Sequence, residues 1–255
     1  MVPESDPLSI PPTERLYLTD AYTRTLSTTV VGVDDGRVAL AATVFYPTGG
    51  GQPHDTGTLT WAGGQVAVTE VRSVGPVVWH SVDGNPPGVG EAVEVSIDWD
   101  RRHGLMRTHT ALHVLCGIIW NEWGKAVTGG NMNPPDENGV GSARMDFEFD
   151  PLPDDFAGRV EALVAAEVAG DRAIEVSTLP RDTALEDADL IRTKVNLIPE
   201  AVTEIRVVDI TGLDKQADGG THVSTTGEVG RVEVVKTESK GKGNKRVRIA
   251  VHPPA

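Results

Sequence analysis

The stretch His-Thr-Ala-Leu-His at 109–113 sets two imidazoles four residues apart. On a helix, residues at that spacing share one face, about one turn from each other. His109 and His113 can therefore aim at one ion. The motif is not that of a zinc metalloprotease, because Thr110 stands where such a motif carries its general-base glutamate. Taken alone, the pair serves equally as two histidines satisfied by neighbouring polar groups. A second segment, Asp-Gly-Gly-Thr-His-Val at 218–223, adds a carboxylate and a third imidazole on a glycine-containing loop. Asp218 and His222 join His109 and His113 in a nitrogen-and-oxygen donor set of the kind zinc accepts. Spacing alone does not bring the two segments together. No Ser-His-Asp or Cys-His arrangement for nucleophilic catalysis stands out.

The 255-residue chain is long enough for one large domain or two modest ones. With 39% hydrophobic residues and both charge signs, it reads as a folded, soluble protein. No apolar run approaches the roughly 18–20 residues of a membrane span. The opening MVPESDPLSIPPTERLYL carries acids and prolines where a signal peptide would be basic and then apolar. A single cysteine, Cys116, excludes an internal disulfide and fits a reducing compartment, so the expected location is the cytoplasm. The net charge of −14 opposes a general nucleic-acid binder, although a local basic face is compatible with it. Residues 231–248, RVEVVKTESKGKGNKRVR, hold seven Lys or Arg against two Glu. They read either as a solvated hairpin or as a phosphate-contacting face.

The elements around these motifs change character along the chain. Residues 1–13 read as a flexible lead-in. From 15 to 98, short β-branched and aromatic runs (RLYL, TTVVGV, RVALAATVFY, GTLTW, QVAVTEVRSV, PVVWHSV, AVEVSID) alternate with turn signals. That spacing predicts a small antiparallel barrel or sandwich. The connection YPTGGGQPHDTG is too glycine-rich for an ordinary hairpin and reads as a backbone that approaches a ligand, or as a loose loop. Beyond residue 99, Leu105, Met106, Leu112, Leu115, Ile118 and Ile119 predict an amphipathic helix ending at Gly124. A strand in SARMDFEFD, a helix in DDFAGRVEALVAAEVAGD, a strand in AIEVSTL and a short helix around DTALEDADLI follow. After them come the strand EIRVVDI, the loop DGGTHVSTTGEVG and two final strands. Helices and strands mix without strict βαβ alternation, so the fold class is α+β. The domains expected are 1–98, a β-barrel with the glycine-rich motif, and 99–255, a metal-binding domain.

The segments MRTHTALHVL, ARMDFEFD and ADGGTHVSTTGEVGRVEVVKTESKGKGNKRVRI resemble the editing domain of alanyl-tRNA synthetase. They look still more like its freestanding relatives, the AlaX proteins, which share a second additional domain with threonyl-tRNA synthetases. TVFYPTGGGQPHDTG is similar to the glycine-rich motif in the N-terminal β-barrel of the medium-length AlaX group. The motifs run in the family's order from about residue 43 to 250, and the sequence stops soon after the last strand, without the extension of the long forms. The resemblance implies an N-terminal barrel followed by an α+β editing domain. It implies a hydrolase of the ester of mischarged tRNA(Ala), chiefly Ser-tRNA(Ala), with Gly-tRNA(Ala) a secondary candidate.

It also implies zinc as cofactor, held by HxxxH plus CxxxH. His109, His113 and His222 match that set and are the expected catalytic residues, while Asp218 stands at the cysteine position. Thiolate and carboxylate each bring one negative charge. Zinc–oxygen distances of about 2.0–2.2 Å are only slightly shorter than zinc–sulfur at about 2.3 Å, though the carboxylate is a weaker ligand for zinc. Cys116, seven residues past His109, is the rival fourth ligand.

For the serine hydroxyl the candidates are Thr43, Thr48, Gln52 and Thr108, with Thr110 beside them and Gly49, Gly50 and Gly51 bordering the pocket. Lys240, Lys242, Lys245 and Arg246 are the expected contacts to the acceptor-stem backbone, extended by Arg101, Arg102 and Arg107. Two other readings use the same residues: a metal-dependent hydrolase of a small ester or amide, and a non-catalytic tRNA-binding module.

Overall fold

The β-branched alternation of the first hundred residues has only one way to bury its apolar face without leaving edges, and that is closure. The computed structural model describes residues 10–186, 190, 202–241 and 243–254. Two compact units emerge, Met1–Gly49 with Pro53–Arg102, and Gly50–Gln52 with His103–Ala255.

The first unit holds β1 (Glu14–Arg15), β2 (Thr25–Asp34), β3 (Arg37–Leu40), β4 (Ala42–Thr43), β5 (Gly57–Trp61), β6 (Gly64–Val74), β7 (Val77–Asp83) and β8 (Ala92–Ile97). Six of them close an antiparallel barrel in the order β2-β3-β7-β6-β5-β8. Strand β6 shows how sequence sets register. Val66 and Val68 face inward, a shift against β7 between Val68 and Glu70 adds a residue, and Val71 faces inward again. Val30, Leu40, Phe45, Leu59 and Val95 fill the interior with them, each worth about 1.5–3 kcal/mol of burial.

Three expectations change here. The lead-in is fastened from residue 10 onward: Ile10 and Thr13 are buried, and Thr13 donates its N–H to the Pro76 carbonyl at 3.1 Å. Its hydroxyl also accepts from the Val78 N–H at 3.0 Å. Of RLYL only Arg15 is strand, ending the two-residue β1 that pairs parallel with β4, and Leu16–Leu18 form a 3-10 turn. RVALAATVFY breaks at Ala41 into β3 and β4, and Val44, Phe45 and Tyr46 run buried into the glycine loop.

A buried ion pair ties this unit together. The Arg102 guanidinium sits on the Asp55 carboxylate, both fully buried, and also donates to the carbonyls of Ala21 and Val44. Asp55 in turn accepts the Tyr46 N–H at 2.6 Å, which pins the stem of the glycine loop.

In chain order the rest comprises α1 (Trp99–Trp123), whose first turn belongs to the first unit, β9 (Val127–Asn133), β10 (Gly141–Phe147), α2 (Phe156–Ala169) and β11 (Ile174–Pro180). Then follow α3 (Arg181–Glu186), β12 (Glu204–Ile210), β13 (Asp214–Ala217), β14 (Arg231–Ser239) and β15 (Lys245–His252). One antiparallel sheet runs β14-β15-β10-β9 and a second β11-β12-β13. Helix α2 buries Phe156, Val160 and Val164 at a spacing of four.

Helix α1 departs from the amphipathic expectation: every residue from Gly104 to Ile119 is buried. Its polar side chains must therefore find partners inside the protein. It ends at Gly124, whose φ of +60° places it in the left-handed conformation that closes helices. The short helix around DTALEDADLI appears as α3, and the remainder of that segment lies largely outside the described residues. The chain is thus α+β. Among the described residues no helix is long and apolar enough to cross a membrane.

Candidate metal centre

Two elements carry the chemistry in the second unit. Buried helix α1 presents His109 and His113 one turn apart, and the loop after β13 presents Asp218 and His222. That loop is tied to β12 at its start: the Asp218 N–H donates to the Arg206 carbonyl at 3.1 Å, and Arg206 Nη1 donates to the Asp218 carbonyl at 2.9 Å. The Asp218 side chain then accepts the Gly220 N–H at 2.6 Å, which shapes the turn toward His222.

The four residues converge. One donor atom from each of His109, His113, Asp218 and His222 lies within 4.8 Å of the other three. His222 Nε2 is 3.1 Å from Asp218 Oδ2, and His109 Nε2 is 3.6 Å from Asp218 Oδ1. The imidazole centroids are 4.4–5.1 Å apart.

Each imidazole is also held from behind. His109 Nδ1 lies 2.9 Å from Gln52 Oε1, His113 Nδ1 lies 3.2 Å from Asp214 Oδ2, and His222 Nδ1 lies 3.1 Å from Thr110 Oγ1. With every Nδ1 engaged outward, the Nε2 edge is what each ring offers to the others. Metal-binding histidines are built this way: an outer acceptor fixes ring and tautomer while the second nitrogen ligates. The donor set, three imidazoles and one carboxylate, fits zinc.

Electrostatics follow from burial. Desolvation draws His109 well below its ordinary value, against the pull of the Asp218 charge. Desolvation likewise draws His222 down to about 4. At His113 burial also acts downward, but the bond to Asp214 and the Asp218 carboxylate outweigh it and leave the group raised. Burial pushes Asp218 upward, yet the surrounding histidines hold it well below the usual carboxylate range. Burial thus favours the neutral form of His109 and His222 beside an ionised Asp218, while Asp214 helps His113 keep its proton until a cation displaces it.

The other expected residues fall in different places. Gln52 is buried, its amide spent on His109 and Thr221. Thr108 is buried and donates to the Gly104 carbonyl one turn back. Thr43 is buried in the first unit between His80 and the Phe45 N–H. Thr48, Gly49, Gly50 and Gly51 are exposed. Cys116 is buried on α1 and is not part of the four-residue group.

The basic hairpin is partly neutralised. Arg246 lies on Asp146, Arg248 and Lys236 both reach Glu238, and Lys245 donates to Ser239. Lys240 is exposed, and Lys242 lies outside the described residues. Arg102 and Arg107, expected to extend that face, are instead buried, and Arg107 donates to the Gly139 and Val229 carbonyls. Arg101 is half-buried and bonds the His54 carbonyl at 3.0 Å.

The functional role missed from sequence is that of Asp214. A signal existed: Asp214 and Gln216 alternate on β13 and so share a face, and Gln216 Nε2 indeed donates to Asp214 Oδ2 at 2.6 Å.

Residues 205–248 match the threonyl and alanyl tRNA synthetase second additional domain, and residues 17–101 match the class II (A) tRNA synthetases. The chain is 36% identical over 246 residues to the alanyl-tRNA editing protein AlaX-M of Saccharolobus solfataricus, which covers 94% of this chain and 100% of that protein. It is 35% identical over 242 residues to AlaX-M of Methanosarcina barkeri, covering 92% of this chain and 97% of that one. It is also 36% identical over 253 residues to the alanine–tRNA ligase of Pyrobaculum neutrophilum, of which it spans 28%.

Proposed function

The chain belongs to the AlaX-M family of alanyl-tRNA editing proteins, and from that premise we propose that it hydrolyses the ester of mischarged tRNA(Ala) in trans. The substrate is chiefly Ser-tRNA(Ala), with Gly-tRNA(Ala) second. The reading rests on the convergence of His109, His113, Asp218 and His222, each histidine backed by an outer hydrogen-bond partner. Those four residues would hold zinc, which supplies Lewis acidity toward a carbonyl or a water.

An aminoacyl ester is already activated, so the protein's task is to place a water and exclude others. The buried walls of α1 and the 218–223 loop serve exclusion, and the Arg206 guanidinium, 3.8 Å from Asp218, offsets the negative charge. Serine must be told from alanine by its hydroxyl, and a site built to bond a hydroxyl rejects the analogue lacking it. Thr43, Gln52 and Thr108 are buried and bonded internally, and the Thr48 hydroxyl lies 3.0 Å from His54 Nδ1, so we assign that recognition to the backbone of exposed Gly50 and Gly51. Residues 99–255 are read as the deacylase domain and 1–98 as the barrel domain carrying the glycine-rich motif. The activity is placed in the cytoplasm.

Lys240, Lys242, Lys245 and Arg246 are assigned to the acceptor-stem backbone, so binding should weaken steeply with salt. The ion pairs already made along the hairpin favour a second reading, a small-ester hydrolase that needs no tRNA. One assay separates the two. Purified protein should deacylate Ser-tRNA(Ala) and spare Ala-tRNA(Ala). Hydrolysis of a small serine ester as fast as of Ser-tRNA(Ala) would favour the second reading, and failure on both esters would remove the hydrolase altogether.

A further inference from the structure

We infer that Gln52 is a positioning residue of the metal centre, locking His109 with its Nε2 inward. This rests on the reading of His109 as a zinc ligand. The amide's orientation is fixed by its partners rather than by choice. The Thr221 backbone N–H can only donate, and it lies 3.1 Å from Gln52 Oε1. The amide nitrogen on the other side donates to Thr221 Oγ1 at 2.8 Å. The oxygen is therefore also what faces His109 Nδ1 at 2.9 Å, so Nδ1 carries the proton and Nε2 keeps its lone pair.

Sterics hold the same arrangement. A Cβ at Gly220 would overlap the His109 imidazole and come within 2.8 Å of Gln52 Oε1, so the loop backbone lies flat against both groups. Gln52 is 1% exposed although Gly50 and Gly51 just before it are exposed. The adjoining Gly51 carbonyl accepts the Met132 N–H of β9 at 3.2 Å, which secures the chain next to the amide. A residue of the glycine-rich segment thus reaches the metal ligand from behind, and the integrity of that segment controls metal binding as well as whatever the segment does toward substrate.

The test is zinc affinity, measured by competition with a chelating indicator, together with the cobalt(II) absorption spectrum. Both are read without any tRNA. Gln52→Leu leaves the His109 Nδ1 proton and the Thr221 N–H without their acceptor. It should weaken zinc about 10- to 100-fold, the range for loss of an outer partner, and shift the cobalt bands. Gln52→Glu keeps the accepting oxygen and should stay within about threefold of wild type. If Gln52→Leu fails to fold, Thr221→Val removes only the amide nitrogen's partner and should weaken zinc by a smaller factor. Wild-type affinity and an unshifted spectrum in a folded Gln52→Leu or Thr221→Val protein would overturn the inference and leave the ligand assignment intact. A wild-type protein that bound neither zinc nor cobalt would overturn the ligand assignment as well.

Discussion

His80 in the barrel and His109 on α1 are both buried, and burial draws both below their ordinary range, His80 to about 4. Their surroundings differ in one respect. His80 uses both nitrogens, Nδ1 on the Val38 carbonyl and Nε2 on the Thr43 hydroxyl, each at 2.9 Å. His109 uses Nδ1 on Gln52, while its Nε2 looks toward Asp218 at 3.6 Å and two more histidines. The same contrast separates the carboxylates. Asp55 is capped by Arg102 and the Tyr46 N–H, whereas Asp218 faces a ring of imidazoles. Buried polar groups whose partners are all internal stabilise a fold. Buried acceptors that converge on one another are stable only with a cation between them or with protons taken up. The first unit's cluster is a fastening, and the second unit's is a set of groups that could hold a cation.

The contrast makes the two clusters respond differently to mutation. The largest effect belongs to the site: His109→Ala with His113→Ala should reduce zinc affinity by more than the ~100-fold typical of an outer partner and abolish hydrolysis, measured by indicator competition and deacylation. In the barrel, Asp55→Ala strands the buried Arg102 charge and should cost about 3–5 kcal/mol of stability in denaturant unfolding. Zinc affinity of the folded protein should fall far less than in the double histidine variant, because Asp55 acts on the glycine loop only at its stem.

Acidification probes the fastening further. His80 has a folded value of about 4 against an ordinary 6.5, so the unfolded chain takes up its proton first as pH falls. The stability it contributes is intact above pH 6.5 and lost progressively down to about 4, on the order of 3 kcal/mol in all. In His80→Gln that share of the pH slope should vanish whatever the variant's absolute stability. A slope unchanged across this window would contradict the assignment.

The smallest effect is expected at the hairpin. Lys240→Glu with Lys245→Glu should lower the salt slope of tRNA binding by roughly 1 to 2, because each lost phosphate contact removes a little under one unit. An unaltered slope would remove these lysines from the interface.

Much of this was legible in the residues. Short β-branched and aromatic runs between turn signals located most of the barrel strands, and the four-residue spacing of His109 and His113 with DGGTHV named the four converging groups. What escaped was decided by partners far away in sequence. Strand β9, VTGGNMN, lacks a β-branched run and exists because β10 pairs with it. The DKQA strand β13 is too short and polar to announce itself, yet it carries Asp214 to His113. Helix α1 reads as one-sided because its buried polar face looks like a surface until Gln52, Gly139 and Asp214 meet it. Gln52 looked available for substrate because its partners, His109 and Thr221, lie 57 and 169 residues away.

The most direct measurement is the rate of Ser-tRNA(Ala) hydrolysis by chelator-treated protein before and after one equivalent of zinc is returned. The expected result is a treated protein that is inactive toward Ser-tRNA(Ala) and regains full activity at one zinc per chain. Treated protein that deacylates as fast as loaded protein, with the absence of zinc verified, would contradict the assignment of His109, His113, Asp218 and His222 as a catalytic metal centre.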